Sequence, residues 1–169
     1  GRDLKVRTPP RAAALGAWSA ETGSTELAGG AVAADATAAV TTSVAKSVAV
    51  VMFNFSDLRS TPFTKAQVQD ALLNSSGSVK AFYEEESKGR VSISGSVFGW
   101  YQIAASTAGC DWTTWHTQAW NAAVAAGVNL SAYTNVMFVF PNTSACGWAG
   151  LGYVPGPYTY INGTLKKKG

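Results

Sequence analysis

The residues that could hold a metal ion are few and far apart in this sequence. It contains one histidine, His116, and two cysteines, Cys110 and Cys146, which lie on either side of that histidine. A zinc ion in a protein is usually held by three or four His, Cys, Asp or Glu side chains at short, recognisable spacings. No such spacing is present, so the sequence predicts that these 169 residues hold no zinc by themselves.

Nucleophilic catalysis has no better support in the sequence. A serine-hydrolase triad would need His116 as its base, but the chain has no G-x-S-x-G segment. We interpret His116 as a partly exposed histidine on a helix that begins at Asp111. The three carboxylates of Glu84–Glu86 point in different directions on a helix and are interpreted as a solvated face rather than a calcium site. No catalytic residue is predicted.

The two cysteines suit a single disulfide that closes a long loop, which stabilises a fold by about 3 to 4 kcal/mol in the chain-entropy model. Two buried free thiols are the alternative. Five N-x-S/T sequons are compatible with secretion, namely those at Asn54, Asn74, Asn129, Asn142 and Asn162. Asn54 lies too close to a core strand to be a glycan site. The six tryptophans would allow carbohydrate binding by stacking, although most of them are expected to pack in the core.

Charge and hydropathy exclude two classes of protein. The net charge is +3, but the cations concentrate at the two ends, which leaves the middle of the chain slightly acidic. A nucleic-acid-binding protein needs a basic face on its folded part, so no nucleic-acid partner is predicted. No run of 18 or more apolar residues occurs, so no membrane span is predicted.

The first elements are predicted from hydrophobic patterns and caps. Residues 48–55 form a continuous apolar run of strand length, which indicates that both faces of the strand are covered. The capping box Thr64-Lys-Ala-Gln67 starts a helix. Ser78 caps a second helical segment, which is expected to bury Val79, Phe82 and Tyr83, to turn Glu84–Glu86 to water and to end at Gly89.

The remaining elements complete an alternating order. Residues 90–103 alternate as a strand with one face of small residues. Asp111 caps a helix that Gly127 ends, and residues 135–141 form a second buried strand closed by its proline. The glycine-rich segment 146–154 is expected to be an edge strand or a loop, where an extended peptide could add as a further strand. This order predicts an α/β fold, with a mixed, mostly parallel sheet and flanking helices.

Three regions are expected along the chain. Residues 1–47 are rich in Ala, Gly, Ser and Thr and cannot repay their ordering entropy by burial, so they are interpreted as a linker or the end of a pro-segment. An alanine-rich helix over residues 32–44 is the alternative. Residues 48–165 form the folded region, and residues 166–169 form a basic tail.

Four segments follow one another in a fixed order: the apolar strand ending in Asn54-Phe55, the helical stretch Ser78–Gly89, the strand Gly95–Tyr101 and the segment Cys146-Gly-Trp-Ala-Gly-Leu-Gly152. Together they resemble gametolysin-type metallopeptidases, which are secreted zinc endopeptidases of metzincin-like architecture. The last of the four segments is the most specific. The resemblance covers about residues 48–165 and implies that the fold is a metzincin-like N-terminal subdomain.

In that family zinc is held by a helix with an H-E-x-x-H motif and a further histidine, shortly after the position of residues 161–165. This sequence continues with Lys166-Lys-Lys-Gly169 and has none of those residues. The resemblance therefore transfers no zinc ligand and no general base, and zinc belongs to the complete family domain. It does imply a Cys110–Cys146 bridge. It also implies an edge segment that pairs with a peptide or protein substrate in the complete enzyme, consisting of Gly147, Trp148, Ala149, Gly150, Leu151 and Gly152.

The expected function is thus that of the N-terminal subdomain of a secreted zinc-dependent endopeptidase, which is not active alone. One alternative is a non-catalytic extracellular module that binds a glycan or a peptide strand through its aromatic and glycine-rich edge. Another is a structural or propeptide-like partner of a separate chain. The sequence leaves open whether the chain is a piece of a protease or a natural short product.

Overall fold

The computed structural model describes residues 43–163, which form an α/β fold. Three helices lie in this part of the chain: α1 (Lys65–Gln69), α2 (Val79–Glu86) and α3 (Trp112–Ala125). A π-helical turn over Asp70–Asn74 follows α1, and 3-10 turns lie at Ala108–Cys110 and Leu130–Ala132. The five strands are β1 (Val44–Asn54), β2 (Val91–Gln102), β3 (Asn135–Phe140), β4 (Gly150–Gly152) and β5 (Tyr158–Asn162).

These strands form one sheet in the order β2-β1-β3-β5-β4. The pairs β1–β2, β1–β3 and β3–β5 are parallel, whereas β4 is antiparallel to β5. Val50 of the central strand pairs with Val97 on one side and Met137 on the other. The predicted mixed, mostly parallel sheet with flanking helices is confirmed.

The strand β1 begins at Val44, four residues before the apolar run that predicts it. Residues 44–47 are exposed or half-buried, and they are strand because their backbone pairs with Val91–Ser94 of β2. Ser47 and Thr134 reinforce this start, since each backbone N–H donates to the other residue's hydroxyl oxygen (2.9 and 3.0 Å). The rest of the linker predicted over residues 1–47, the alternative helix before Val44 and the tail 166–169 lie outside the described residues.

The two faces of the sheet bury different residues because side chains alternate along β1. Ala49, Val51 and Phe53 point to the face that carries α3, where they join a large aromatic cluster with Trp115 and Phe138. The opposite face carries α1 and a smaller core of Val50, Met52, Val68, Leu72 and Val139. Helices α1 and α3 therefore lie on opposite sides of the sheet.

The predicted helix caps are present. Thr64 and Gln67 form the reciprocal capping box of α1, and the Ser78 hydroxyl accepts from the Ala81 N–H at the start of α2. The Asp111 carboxylate accepts from the Thr114 N–H at the start of α3. Gly89 and Gly127 both have positive φ, as expected for residues that end helices.

The prediction that α2 buries its apolar side chains is wrong. Val79, Phe82 and Tyr83 are 37%, 42% and 50% exposed, and α2 has no buried residue. The reason is that α2 packs on β2, the edge strand, and not over the middle of the sheet. A groove of about 420 Å³ remains between α2 and the sheet, and its lining includes Val48, Val79, Tyr83, Met137 and Thr159.

Candidate functional site

The strand β4 lies at one edge of the sheet that residues 43–163 form. It pairs with β5 in the register Gly150–Ile161, Leu151–Tyr160 and Gly152–Thr159. The Asn162 N–H donates to the Ala149 carbonyl oxygen (2.8 Å), and the Tyr153 N–H donates to the Tyr158 carbonyl oxygen (3.1 Å). Because inward and outward positions alternate in an antiparallel ladder, the backbone N–H and C=O groups of Gly150 and Gly152 point away from β5. These groups can bind another extended chain.

The segment before β4 is held by a buried amide and a disulfide. The Asn162 side chain accepts from the Thr143 N–H (2.8 Å) and donates to the carbonyl oxygens of Thr143 (3.0 Å) and Trp148 (2.8 Å). Cys110 and Cys146 form a disulfide with their Cα atoms 5.1 Å apart. It joins the turn before α3 to the loop before β4, so the edge strand has a fixed position.

The six residues assigned to the edge by resemblance are contiguous, but only Gly150, Leu151 and Gly152 form strand. Gly147 and Ala149 are exposed in the approach to β4. Trp148 is half-buried, and its ring packs edge-on against Phe140 with 6.0 Å between the ring centroids. Trp148 therefore contributes to packing rather than offering an open ring.

The only histidine of the sequence has a tyrosine partner and no carboxylate. His116 is half-buried on α3, and its Nδ1 lies 2.8 Å from the Tyr160 hydroxyl oxygen. Burial lowers the pKa of His116 and raises the pKa of Tyr160 to about 12, so both side chains are neutral near pH 7. The Asp111 carboxylate instead accepts hydrogen bonds from the Thr113 and Thr114 hydroxyls at the helix start, and the bond from the Thr114 hydroxyl is the main cause of its lowered pKa. Within residues 43–163, His116 is not part of a Ser-His-Asp arrangement.

The side chains within residues 43–163 do not fit a zinc ion. Both cysteines form the disulfide, and the His116 ring is hydrogen-bonded to the Tyr160 hydroxyl. No three His, Cys, Asp or Glu side chains in the described part of the chain come together in a group that could hold a metal.

A comparison with models of protein families shows the family of this chain. A family model described as gametolysin peptidase M11 matches residues 32–166. The chain belongs to this family. The resemblance drawn from the four sequence segments is thereby confirmed, and membership of a metallopeptidase family implies protein substrates. The comparison with curated proteins found no match.

This gametolysin-family domain has a second feature that the sequence did not predict, a cavity of about 460 Å³ beside α3. Trp112 and His116 of α3 line one side, and Tyr153, Tyr158 and Tyr160 of the β4–β5 hairpin line the other. One signal was available, since residues four apart on a helix share a face and Trp112 and His116 have that spacing. Their tyrosine partners lie too far along the chain for any local pattern to connect them.

No helix within residues 43–163 is long and apolar enough to cross a bilayer.

Proposed function

We propose that this gametolysin-family chain supplies the scaffold and the substrate-pairing edge strand of a secreted zinc-dependent endopeptidase, and that it is not active alone. The observation that carries the proposal is the open edge at β4, with the backbone groups of Gly150 and Gly152 turned outward in a peptidase family. The zinc belongs to the complete family domain, because the 169 residues contain a single histidine.

Backbone pairing suits a protease that must hold its substrate extended. An added strand gains main-chain hydrogen bonds whatever its sequence, and only the alternate side chains are read by pockets. Gly150 and Gly152 favour such pairing because they have no side chain to hold the incoming backbone away. A β-carbon at Gly152 would have no atom within 4 Å, so the side of the strand at this residue is open.

The groove between α2 and the sheet supports the role of a scaffold. Its lining includes Val48, Met137 and Thr159 of the sheet and Val79 and Tyr83 of α2. The apolar side chains of Val79 and Tyr83 are exposed there, because α2 covers only part of this face of the sheet. A helix laid against this face would complete the second layer of an α/β fold. We assign this position to the zinc-bearing helix of the complete family domain.

Secretion is supported by the disulfide and by three of the sequons. Disulfides persist in oxidising compartments, and Cys110–Cys146 is formed. Asn74, Asn129 and Asn142 are exposed, whereas Asn54 and Asn162 are 7% and 3% exposed and are closed to a glycan in the folded chain. Expression through a secretory pathway should therefore add glycans at no more than the three exposed positions, as counted by intact-protein mass.

The edge strand can be tested with one pair of variants. Gly152→Pro removes the outward N–H, whereas Gly152→Ala keeps it and adds a methyl group in open space. With an unstructured polypeptide such as β-casein in excess, hydrogen exchange at residues 150–152 should slow in the native chain and in Gly152→Ala. The same polypeptide should give no protection of this segment in Gly152→Pro.

Two results would contradict the proposal. Equal protection in the proline and alanine variants would show that the outward N–H is not used. Cleavage of β-casein by the purified 169-residue chain with zinc present would show that the chain is active alone.

A further inference from the structure

The cavity beside α3 lies on the sheet face opposite α1 and the groove, so it is separate from the surface assigned to the zinc-bearing helix. The Trp112 ring contacts two tyrosines, with its ring centroid 5.6 Å from that of Tyr153 and 5.5 Å from that of Tyr160. Tyr153 is 48% exposed, whereas Tyr160 is buried at the base of the cavity. The cavity therefore has an aromatic wall that is open to solvent at Tyr153.

Charge narrows the class of ligand. None of the residues that line the cavity is Asp, Glu, Lys or Arg. His116, the remaining titratable group besides the tyrosines, is neutral near pH 7 because burial lowers its pKa. A charged ligand would lose hydration here without gaining an ion pair, which costs several kcal/mol. The cavity therefore suits a neutral ligand.

The threonine hydroxyls at the rim of the cavity narrow the class of ligand further. The Thr113 hydroxyl donates to Asp111 Oδ1 (2.7 Å), and the Thr117 hydroxyl donates to the Thr113 carbonyl oxygen (3.1 Å). A threonine hydroxyl has one proton, so both oxygens can offer only lone pairs to a ligand. A ligand that contacts these two oxygens must therefore donate hydrogen bonds to them. A proline-rich peptide would suit the aromatic wall, but proline has no N–H to donate.

We propose that this cavity, formed by α3 and the β4–β5 hairpin, binds a neutral sugar unit of a glycan and is distinct from the outward backbone groups of Gly150 and Gly152. A pyranose ring has a C–H face that packs on aromatic rings and a rim of hydroxyl groups that donate hydrogen bonds. Trp112 and Tyr153 provide the surface for the C–H face, and Thr113 and Thr117 accept from the sugar hydroxyls. The volume of about 460 Å³ lies within the range of small-ligand sites.

The test uses the 169-residue chain and a panel of neutral disaccharides, with cellobiose, mannobiose and chitobiose as the probes. We expect saturable binding of at least one disaccharide, followed by tryptophan fluorescence and by saturation-transfer NMR. Tyr153→Ala should weaken this binding by about fivefold to tenfold, which corresponds to about 1 to 1.4 kcal/mol for the loss of a stacked aromatic ring. Tyr153→Phe, which keeps the ring, should bind nearly as well as the native chain.

Tyr83→Ala is the matched control, because Tyr83 is 50% exposed but lies on α2 at the opposite face. Its sugar binding should be unchanged. Three outcomes would overturn the proposal: no saturable binding of any disaccharide up to about 50 mM, an equal loss in Tyr83→Ala, or binding of a proline decamer without binding of sugar. A Kd in the millimolar range corresponds to a binding free energy of about 4 kcal/mol or less in magnitude.

Discussion

His116, the single histidine of the sequence, has aromatic rings and a tyrosine hydroxyl as its neighbours. Its ring is surrounded by aromatic neighbours, with the Tyr158 and Phe138 ring centroids 4.7 and 4.8 Å away, and its Nδ1 contacts the Tyr160 hydroxyl. The groups that face it from the hairpin are tyrosines, and no carboxylate lines the cavity. The side chain therefore acts as a neutral packing group that fixes the hairpin to α3.

A pH dependence of stability follows from this burial. Because the pKa of His116 is lowered in the folded chain, the unfolded chain binds a proton near pH 6.5 that the folded chain does not. The free energy of unfolding should therefore be constant above that pH and fall as the pH drops below about 6.5. Urea unfolding between pH 5 and pH 8 should show the fall in the native chain.

His116→Gln is the variant that isolates this effect, since glutamine is polar but does not titrate. The difference in unfolding free energy between the native chain and His116→Gln should change between pH 6.5 and pH 5. A difference that stays constant over this interval would contradict the burial argument. Carboxylates such as Asp111 titrate in both proteins and cancel in the difference.

At the scale of elements, the close approach of β1 and β2 depends on a glycine. Gly95 pairs with Val48, and a β-carbon at Gly95 would overlap the Val48 carbonyl oxygen. This contact lies between paired strands within the sheet, so the face of small residues predicted for residues 90–103 stays a prediction. The apolar side chains of β2 are only half-buried, and its backbone pairs with β1 along most of its length.

Gly95→Ala should therefore lower the free energy of unfolding, by about 1 to 3 kcal/mol, because the added methyl group has to push the two strands apart. Chemical denaturation measures the change. Ser94→Ala is the control, since Ser94 is the exposed neighbour, and it should stay within about 0.5 kcal/mol of the native value. A Gly95→Ala variant as stable as Ser94→Ala would show that the strands can separate without cost.

Local sequence patterns predicted most of the helices and strands, but few of the tertiary contacts between them. The caps at Thr64, Ser78 and Asp111 and the apolar strand after Val48 were predictable because each depends on residues within a few positions. The exposure of α2 was not predictable, because it depends on which strand of the sheet the helix packs against. The aromatic cavity was not either, because Trp112 meets Tyr153 only after the chain has built β3 and the hairpin.

At the scale of the whole molecule, the two sides of the sheet are unequally covered. The α3 side buries the large aromatic core, whereas the α1 side leaves the groove and three exposed apolar residues on α2, Val79, Phe82 and Tyr83. Contiguous apolar surface of this kind marks a place where another element or chain binds. It is the feature on which the role of a scaffold depends.

The groove should bind an apolar dye such as anilinonaphthalene sulfonate while the chain is fully folded. The double variant Val79→Ser with Tyr83→Ser should reduce that fluorescence by about half or more, because it removes one wall of the groove. Val124→Ser is the control, since Val124 is 48% exposed on α3 at the other face. Native chain that binds no dye, or equal loss in the control, would contradict an open groove.

The position of β1 in the middle of the sheet has a consequence for biosynthesis. Of the five strands described within residues 43–163, β1 leaves the ribosome first, yet its partner β3 lies far downstream, as the 87-residue separation of the Ser47–Thr134 contact shows. At a synthesis rate of about 5 to 20 residues per second, the edge of β1 that pairs with β3 stays unpaired for roughly 4 to 17 s. During that interval an uncovered, strongly apolar strand is exposed to other nascent chains. A holding chaperone would have its greatest effect on yield by binding this strand before β3 emerges.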